Sequence, residues 1–308
     1  MYYRSPIPYM GNKYKLLKHI LPLFPKTCKT FIDLFGGSGT VSMNYQGTEK
    51  TIYNDFNTNI VELVKMFKEN NPQELNSYYQ SKILEYGLDS CSLKKEEREN
   101  RSGYKRRKEN YNKLREDYNK SKERDYRDLF LLSCYSINHL IRFNTNSDFN
   151  ASSGADSYNE KNYKCVCDMH KIFQNVEVRN EDALKFDFSL LDGNDFVYCD
   201  IPYLNTEAVY NEKRAFGGWS IESDYELFKI LENLNAKGVK WGLSNVFSNR
   251  GKINQHLIDW CEKNKWKVFH LERNYNPFSR GNSDNDEVYI CNYEVEEKPT
   301  QIGMFDEE

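Results

Sequence analysis

Three aspartates and one short turn carry the chemistry open to this sequence. Asp200-Ile201-Pro202-Tyr203 follows an apolar run over residues 195–199. An aromatic amine is a poor nucleophile, because its lone pair is spread into the ring. Two acceptors placed on its two N–H bonds concentrate that lone pair toward an electrophilic methyl group. The Asp200 carboxylate can be one acceptor. The Ile201 backbone carbonyl can be the other, since a residue preceding proline is pushed to extended geometry. Tyr203 can stack on the ring that bears the amine, a contact worth ~1–3 kcal/mol per base.

The other two acids suit a nucleoside. Asp33 precedes a turn, Gly36-Gly37-Ser38-Gly39, whose glycines let the backbone pass close to a ligand. Asp55 follows 22 residues after Asp33. An acid at about that spacing is what a ribose diol needs. The turn is not a literal G-x-G-x-x-G, so the acid and the turn together, rather than the glycines alone, point to a nucleoside-type cofactor.

These residues need strands to carry them. Residues 30–35 (TFIDLF) form a short apolar run ending in the glycine turn, which reads as a buried strand, a tight turn and a helix. Residues 50–54, 176–178, 195–199 and 239–243 read as further strands, and residues 266–271 with 287–292 as a closing pair. Apolar spacing at Ile60, Leu63, Val64 and Phe67 predicts a helix over 59–67, and Leu227, Ile230, Leu231 and Leu234 predict another over 225–234. Strands alternating with helices imply a mainly parallel α/β sheet. Ligands of such sheets sit beyond the carboxyl ends of the strands, where all three aspartates fall. The rhythm breaks between residues 71 and 163: a charged stretch, an apolar helical stretch over 129–141, then a Gly/Ser/Asn-rich stretch over 144–154. The expected organisation is a catalytic part over 1–70 and 166–293, an insertion over 71–165, and an acidic tail over 294–308.

Composition narrows the classes. The 308 residues carry 43 basic and 46 acidic side chains, a net charge of −3, yet residues 94–128 hold 14 basic and nine acidic ones, net +5. The rest therefore sums to −8. Such a stretch is either the wet face of a helix or a contact for a polyanion. Aromatics at 15%, with 23 Tyr and 18 Phe, exclude ordinary disorder. No apolar run reaches the ~18 residues of a membrane span, and the N-terminus has no secretory apolar core. Eight scattered cysteines read as reduced thiols of a cytoplasmic protein; only Cys165 and Cys167 lie close together, so no metal site is expected.

At this point the chain resembles the Dam-type DNA adenine methyltransferases, the D12 class, especially phage-encoded members. Pro8-Tyr9-Met10-Gly11-Asn12-Lys13 is similar to the family's N-terminal cofactor motif. Phe31-Ile32-Asp33-Leu34-Phe35-Gly36-Gly37 resembles its glycine motif, and Tyr53-Asn54-Asp55 its ribose-binding acid. Residues 112–120 and Leu140-Ile141-Arg142-Phe143-Asn144 resemble its DNA-recognition insertion, residues 196–200 lead into its catalytic motif, and residues 241–246 and 286–290 match later segments. The resemblance covers about residues 5–293. It implies a Rossmann-like S-adenosylmethionine-dependent methyltransferase sheet with an inserted, mainly helical DNA-recognition region, acting on an adenine flipped out of duplex DNA. Tyr9 and Lys13 would then approach the methionine end of S-adenosylmethionine. Asp33, Phe35 and Gly36 would line it, Asp55 would take the ribose hydroxyls, and Asp182 would stand near its adenine. Arg142 and Asn144, with Lys105, Arg106, Arg107 and Lys108 from the basic stretch, are the expected DNA contacts. The implied setting is a bacterial cytoplasm, with no membrane partner; whether a restriction endonuclease accompanies the protein, and its oligomeric state, stay open.

Two departures from the family stand out. Ile201 occupies a position that is usually proline, which gives up a ring that fixes φ and brings a bulkier side chain toward the base or the methyl donor. In GATC-specific relatives the recognition hairpin carries a proline and then a basic residue; here the aligned positions are Ser152 and Asp156. An acid cannot donate to guanine's acceptors, although it can accept from cytosine, so the resemblance does not extend to a GATC target. Rival readings fit less. A nicotinamide dehydrogenase has no use for Asp200-Ile201-Pro202-Tyr203, a cytosine-C5 methyltransferase needs a Pro-Cys pair that this chain lacks, and a protein-glutamine methyltransferase would not need the basic insertion. The alternative that stays open is a catalytically weakened or silent DNA- and cofactor-binding relative, with Ile201 as the lesion.

Overall fold

Among the described residues eight strands form one sheet: β1 (Cys28–Asp33), β2 (Thr48–Asn54), β3 (Val176–Arg179), β4 (Phe196–Asp200), β5 (Lys240–Asn249), β6 (Lys252–Ile253), β7 (Lys267–His270) and β8 (Asp286–Cys291). Their order is β3-β2-β1-β4-β5-β8-β7, with β6 pairing β5 alone. The five strands from β3 to β5 run parallel, and β8 and β7 close the far edge antiparallel. This computed structural model describes residues 2–9, 11–91, 96, 102–203, 218–271 and 285–296. The start of the basic stretch and most of the acidic tail lie outside those residues.

Period-two alternation sorts the strand side chains onto two faces. Ile32, Ile52, Val197, Leu243, Val288 and Ile290 share one apolar layer. It also takes in Leu227, Leu231 and Leu234 of one helix, here α7 (Ile221–Ala236), and Leu257 and Trp260 of the next, α8 (Gln255–Asn264). Phe31, Phe196, Tyr198 and Tyr289 point the other way, onto Leu17 and Ile20 of a short helix, α1 (Leu17–Ile20). Every strand expected from the sequence is present. β5 runs further than expected, to Asn249, and turns into β6 through Arg250 and Gly251, both at positive φ.

The segment between β2 and β3 is helical. α2 (Thr58–Glu69) starts at Asn57, whose side chain accepts from the Asn59 amide, and buries Ile60, Val61, Leu63, Val64, Met66 and Phe67. After it come α3 (Pro72–Tyr86), α4 (Ser102–Lys120), α5 (Tyr126–Tyr135) and α6 (Glu160–Phe173). Buried side chains of all five belong to one continuous apolar cluster, so the inserted helices have no core separate from that of α2 and α6. The apolar stretch over 129–141 is not one helix. α5 stops at Tyr135, Ser136 bridges Ser153, and Asn138 and His139 take left-handed backbone. Beyond them Phe143 bridges Phe149 in a small hairpin. Among the described residues no helix is long and apolar enough to cross a membrane.

Candidate active site

Parallel pairing brings the three aspartates to one rim. β1 lies between β2 and β4, with Asp33 in register with Tyr53 and with Tyr198. Asp55 and Asp200 each stand two residues past those partners, at the carboxyl ends of neighbouring strands. All three line a cavity of about 610 Å³, together with Tyr9, Lys13, Phe35, Gly36, Asp182, Ile201, Pro202 and Tyr203. Every residue expected at the cofactor or the catalytic turn is therefore brought to one place.

The glycine turn is braced from below. The Gly37 amide donates to Asp55 Oδ2 at 2.8 Å, and the Tyr53 hydroxyl donates to the Gly37 carbonyl at 2.6 Å. Gly37 has a φ of +49°, and a Cβ at Gly36 would run into the Tyr53 ring. Tyr9 lies against Gly37 from the cavity side. Asp55 takes a second amide, from Asn57, at 2.8 Å. Burial pushes its carboxyl up, against those two amide bonds. Asn54 is buried and ties Leu34 and Glu181 together through its side chain, which sets the segment carrying Asp182. The Asp182 carboxylate accepts from the Leu184 amide at 3.1 Å, so it caps a single turn while lining the cavity.

Asp33 is 1% exposed and accepts from the Ser42 hydroxyl at 2.6 Å and the Ser42 amide at 3.1 Å. Burial pushes its carboxyl up to about 7, with the Ser42 hydroxyl opposing and the Asp200 charge adding. An unfolded aspartate titrates at ~3.9. The folded state thus holds the proton more tightly, and this stabilising contribution is complete below ~3.9 and lost as pH rises through about 7. Asp33→Asn is expected to remove that part of the decline. Denaturant melts of both proteins between pH 4 and 8 check it, and parallel curves would mean that Asp33 titrates normally.

Lys13 and Asp200 form the cavity's second charged centre. The ammonium is 2.6 Å from Asp200 Oδ1, with side chains 5% and 18% exposed. It also lies 4.9 Å from the centre of the Tyr203 ring. Burial pulls Lys13 down, but the Asp200 carboxylate and the Tyr203 oxygen outweigh it and hold the ammonium charged. Burial pushes Asp200 up, and Lys13 opposes that push. Beneath the pair, the Tyr198 and Ser244 hydroxyls are bonded at 2.7 Å. Ile201 is 2% exposed and packs in the apolar layer with Leu227 and Trp241, so the bulk of its side chain is taken up by the core.

Sequence reasoning missed part of the lining. Trp219, Ser223, Asn249, Asn285 and Glu287 also face the cavity. Only Glu287 stood in a segment already singled out, residues 286–290. The expected DNA contacts do not line the cavity. Arg142 and Asn144 are exposed on the small hairpin, where Arg142 bonds Asn150 and the Asn144 side chain accepts from the Asn146 and Asp148 amides. Lys105, Arg106 and Lys108 are exposed on α4, with Arg106 paired to Asp89 at 2.7 Å. Arg107 corrects the expectation. Its guanidinium is fully buried and bonds Asp89 Oδ2 at 2.8 Å, the Asp156 carbonyl at 2.6 Å and the Cys91 carbonyl at 2.8 Å. A side chain so placed cannot reach a phosphate. Ser152 is exposed, and the Asp156 carboxylate lies 3.5 Å from His139 Nε2.

A parallel sheet with a braced glycine turn, three acids at adjacent strand ends and an antiparallel far edge defines a Rossmann-like methyltransferase fold. The chain belongs to the D12 class N6 adenine-specific DNA methyltransferase family, which it matches over residues 9–273. It is 35% identical over 301 residues to the type II methyltransferase M.FokI of Planomicrobium okeanokoites, a match covering 95% of this chain and 43% of that protein. It is also 35% identical to the modification methylase StsI of Streptococcus sanguinis, covering 96% and 43%. Type II methyltransferase M1.LlaDCHI of Lactococcus lactis subsp. cremoris is 29% identical, covering 77% of this chain and 79% of that one. The chain thus spans less than half the length of the first two relatives.

Proposed function

We propose that this protein transfers a methyl group from S-adenosylmethionine to the exocyclic amine of an adenine flipped out of duplex DNA, at a specific site. The observation that carries the reading is Asp200, at the end of β4, facing the same cavity as the glycine turn and Asp55. Family membership supports adenine as the acceptor base.

The cavity suits the cofactor. Its volume of about 610 Å³ falls among ordinary ligand pockets, and its lining combines the glycine turn with the acidic side chains of Asp33, Asp55 and Asp200. Bound there, S-adenosylmethionine supplies an electrophilic methyl group on a sulfonium. Asp55 is positioned for the ribose hydroxyls and the Gly36–Gly37 backbone for close approach of the nucleoside, while Asp33 lines the cavity beside them as a buried carboxyl. Asp200 and the Ile201 carbonyl accept the two amine N–H bonds and turn the lone pair toward the methyl group. Tyr203 stacks on the base, and Lys13, 2.6 Å from Asp200, opposes the burial that disfavours its carboxylate. Pro202 holds Ile201 extended, and Ile201 itself is anchored by its side chain in the core.

Residues 1–70 and 166–293 form the catalytic part in this reading, and 71–165 recognise the target. Duplex DNA is the partner, and the modification methylases among the relatives support a role beside a restriction endonuclease. DNA affinity should then depend on salt through α4. Replacing Lys105 and Lys108 by Gln is expected to reduce the slope of log affinity against log salt by up to ~2, at ~0.9 per lost phosphate contact. An unchanged slope would make this stretch a solvated helix face. Arg142→Ala should change site preference more than slope, since base contacts specify and phosphate contacts position.

Expression in a methylation-free host, followed by direct modified-base sequencing, tests the activity and reveals the target. Methylated adenines within one recurring sequence are expected. DNA left unmodified by this protein but modified by its Ile201→Pro variant would establish the silent-relative alternative instead.

A further inference from the structure

A chain of hydrogen bonds runs from α8 to the wall of the cavity. Trp219 lines the cavity just before α7, and its indole N–H donates to Asp224 Oδ1 at 2.6 Å. Asp224 is 1% exposed, and its other oxygen lies 2.6 Å from Nε2 of His256, near the start of α8. A buried carboxylate must be paired and hydrogen-bonded to persist, and here each of its oxygens has a partner of its own. Capping does not explain it, because Ser220 and Ser223 make the capping box of α7. The His256 ring itself packs beside both Tyr225 and Phe228. The indole at the other end meets the Phe35 ring edge to face, with centroids 5.3 Å apart at 84°. Trp219 and Phe35 share an apolar cluster with Ala183 and Leu184, the residues beside Asp182.

We propose that Trp219 is a cofactor-binding residue that forms, with Phe35, the aromatic wall against the adenosine of S-adenosylmethionine. Asp224 and His256 are its positioning residues. The inference rests on the reading of the cavity given above. A loose tryptophan would lose rotamer freedom each time it met a ligand. One bonded through its N–H to a buried, histidine-backed carboxylate has given up that freedom before the ligand arrives. The bond also fixes which way the indole plane faces, which a purely apolar contact would not.

S-Adenosylhomocysteine titrated into purified protein by calorimetry provides the test. Trp219→Ala is expected to raise Kd about tenfold, the size of one lost ring contact. Asp224→Ala should weaken binding in the same direction, and Asp224→Asn, whose amide oxygen can still accept from the indole, should recover most of it. Fluorescence gives an independent signature. Trp241, Trp260 and Trp266 pack on one another away from the cavity, so a ligand-dependent change in emission should vanish in Trp219→Phe. Unaltered Kd in Trp219→Ala, or equal weakening in Asp224→Asn and Asp224→Ala, would overturn the proposal. Failure of the unaltered protein to bind S-adenosylhomocysteine at all would instead overturn the reading of the cavity.

Discussion

Replacing Asp200 by alanine is expected to slow methyl transfer by more than about 10³-fold, within the range of losses seen when a charged catalytic group is removed. Cofactor binding should survive, because in the proposed mechanism Asp200 acts on the acceptor amine while Asp33, Asp55 and the glycine turn address the nucleoside. Asp55→Ala should show the opposite pattern, with weakened cofactor binding as its first effect. The Lys13 pair complicates the alanine variant, since it strands a buried ammonium 2.6 Å from where its partner was. Asp200→Asn is therefore the companion. It keeps an oxygen acceptor and most of the volume, and its rate should fall between the two. Single-turnover rates, with cofactor affinity measured separately on the same preparations, decide the matter. Near-native transfer by Asp200→Ala would remove the assigned mechanism.

The second large effect is on stability, at a residue that the sequence places on the wrong side of its helix. Arg107→Ala leaves Asp89 and the Asp156 and Cys91 carbonyls without the guanidinium that joins them. Asp89 keeps Arg106 at 2.7 Å, so the loss falls short of a stranded buried charge; breaking this buried network should cost about 2–3 kcal/mol, a fall in melting temperature on the order of 5 °C. Arg107→Lys should not rescue it, because an ammonium cannot make three fixed bonds in the plane of a guanidinium. Lys105→Ala, two positions earlier and exposed, should stay within about 0.5 kcal/mol of the native stability. Calorimetric melting of the three variants provides the check. An unshifted Arg107→Ala would mean that the buried network adds nothing.

Why Arg107 misleads is instructive. Lys105-Arg106-Arg107-Lys108 reads as one basic patch, but a helix turns about 100° per residue, so four consecutive side chains cannot share a face. Arg107, Tyr111, Leu114 and Tyr118 recur at spacings of four, three and four, and all four are buried. That stripe is present in the sequence and outweighs the charge run. The strand-end acids were legible for the converse reason. A short apolar run with an acid at its end already states both the strand and the side of the sheet where the acid emerges. The break after Tyr135 was hidden, because Ile137, Leu140 and Ile141 continue an apolar pattern while the chain has already turned to bridge Ser153. Trp219 carried no local signal of any kind. It is a single aromatic ahead of a helix, and only the winding of α7 and α8 onto the sheet brings it to the cavity wall.

In the proposed reaction the methyl group goes to the exocyclic nitrogen of adenine. Purified protein, duplex DNA of varied sequence and S-adenosylmethionine labelled in its methyl group, followed by digestion to nucleosides and mass spectrometry, test it most directly. Label is expected in N6-methyladenine and should be lost in Asp200→Ala. Label in methylated cytosine, or none in DNA while the protein binds both cofactor and duplex, would contradict it.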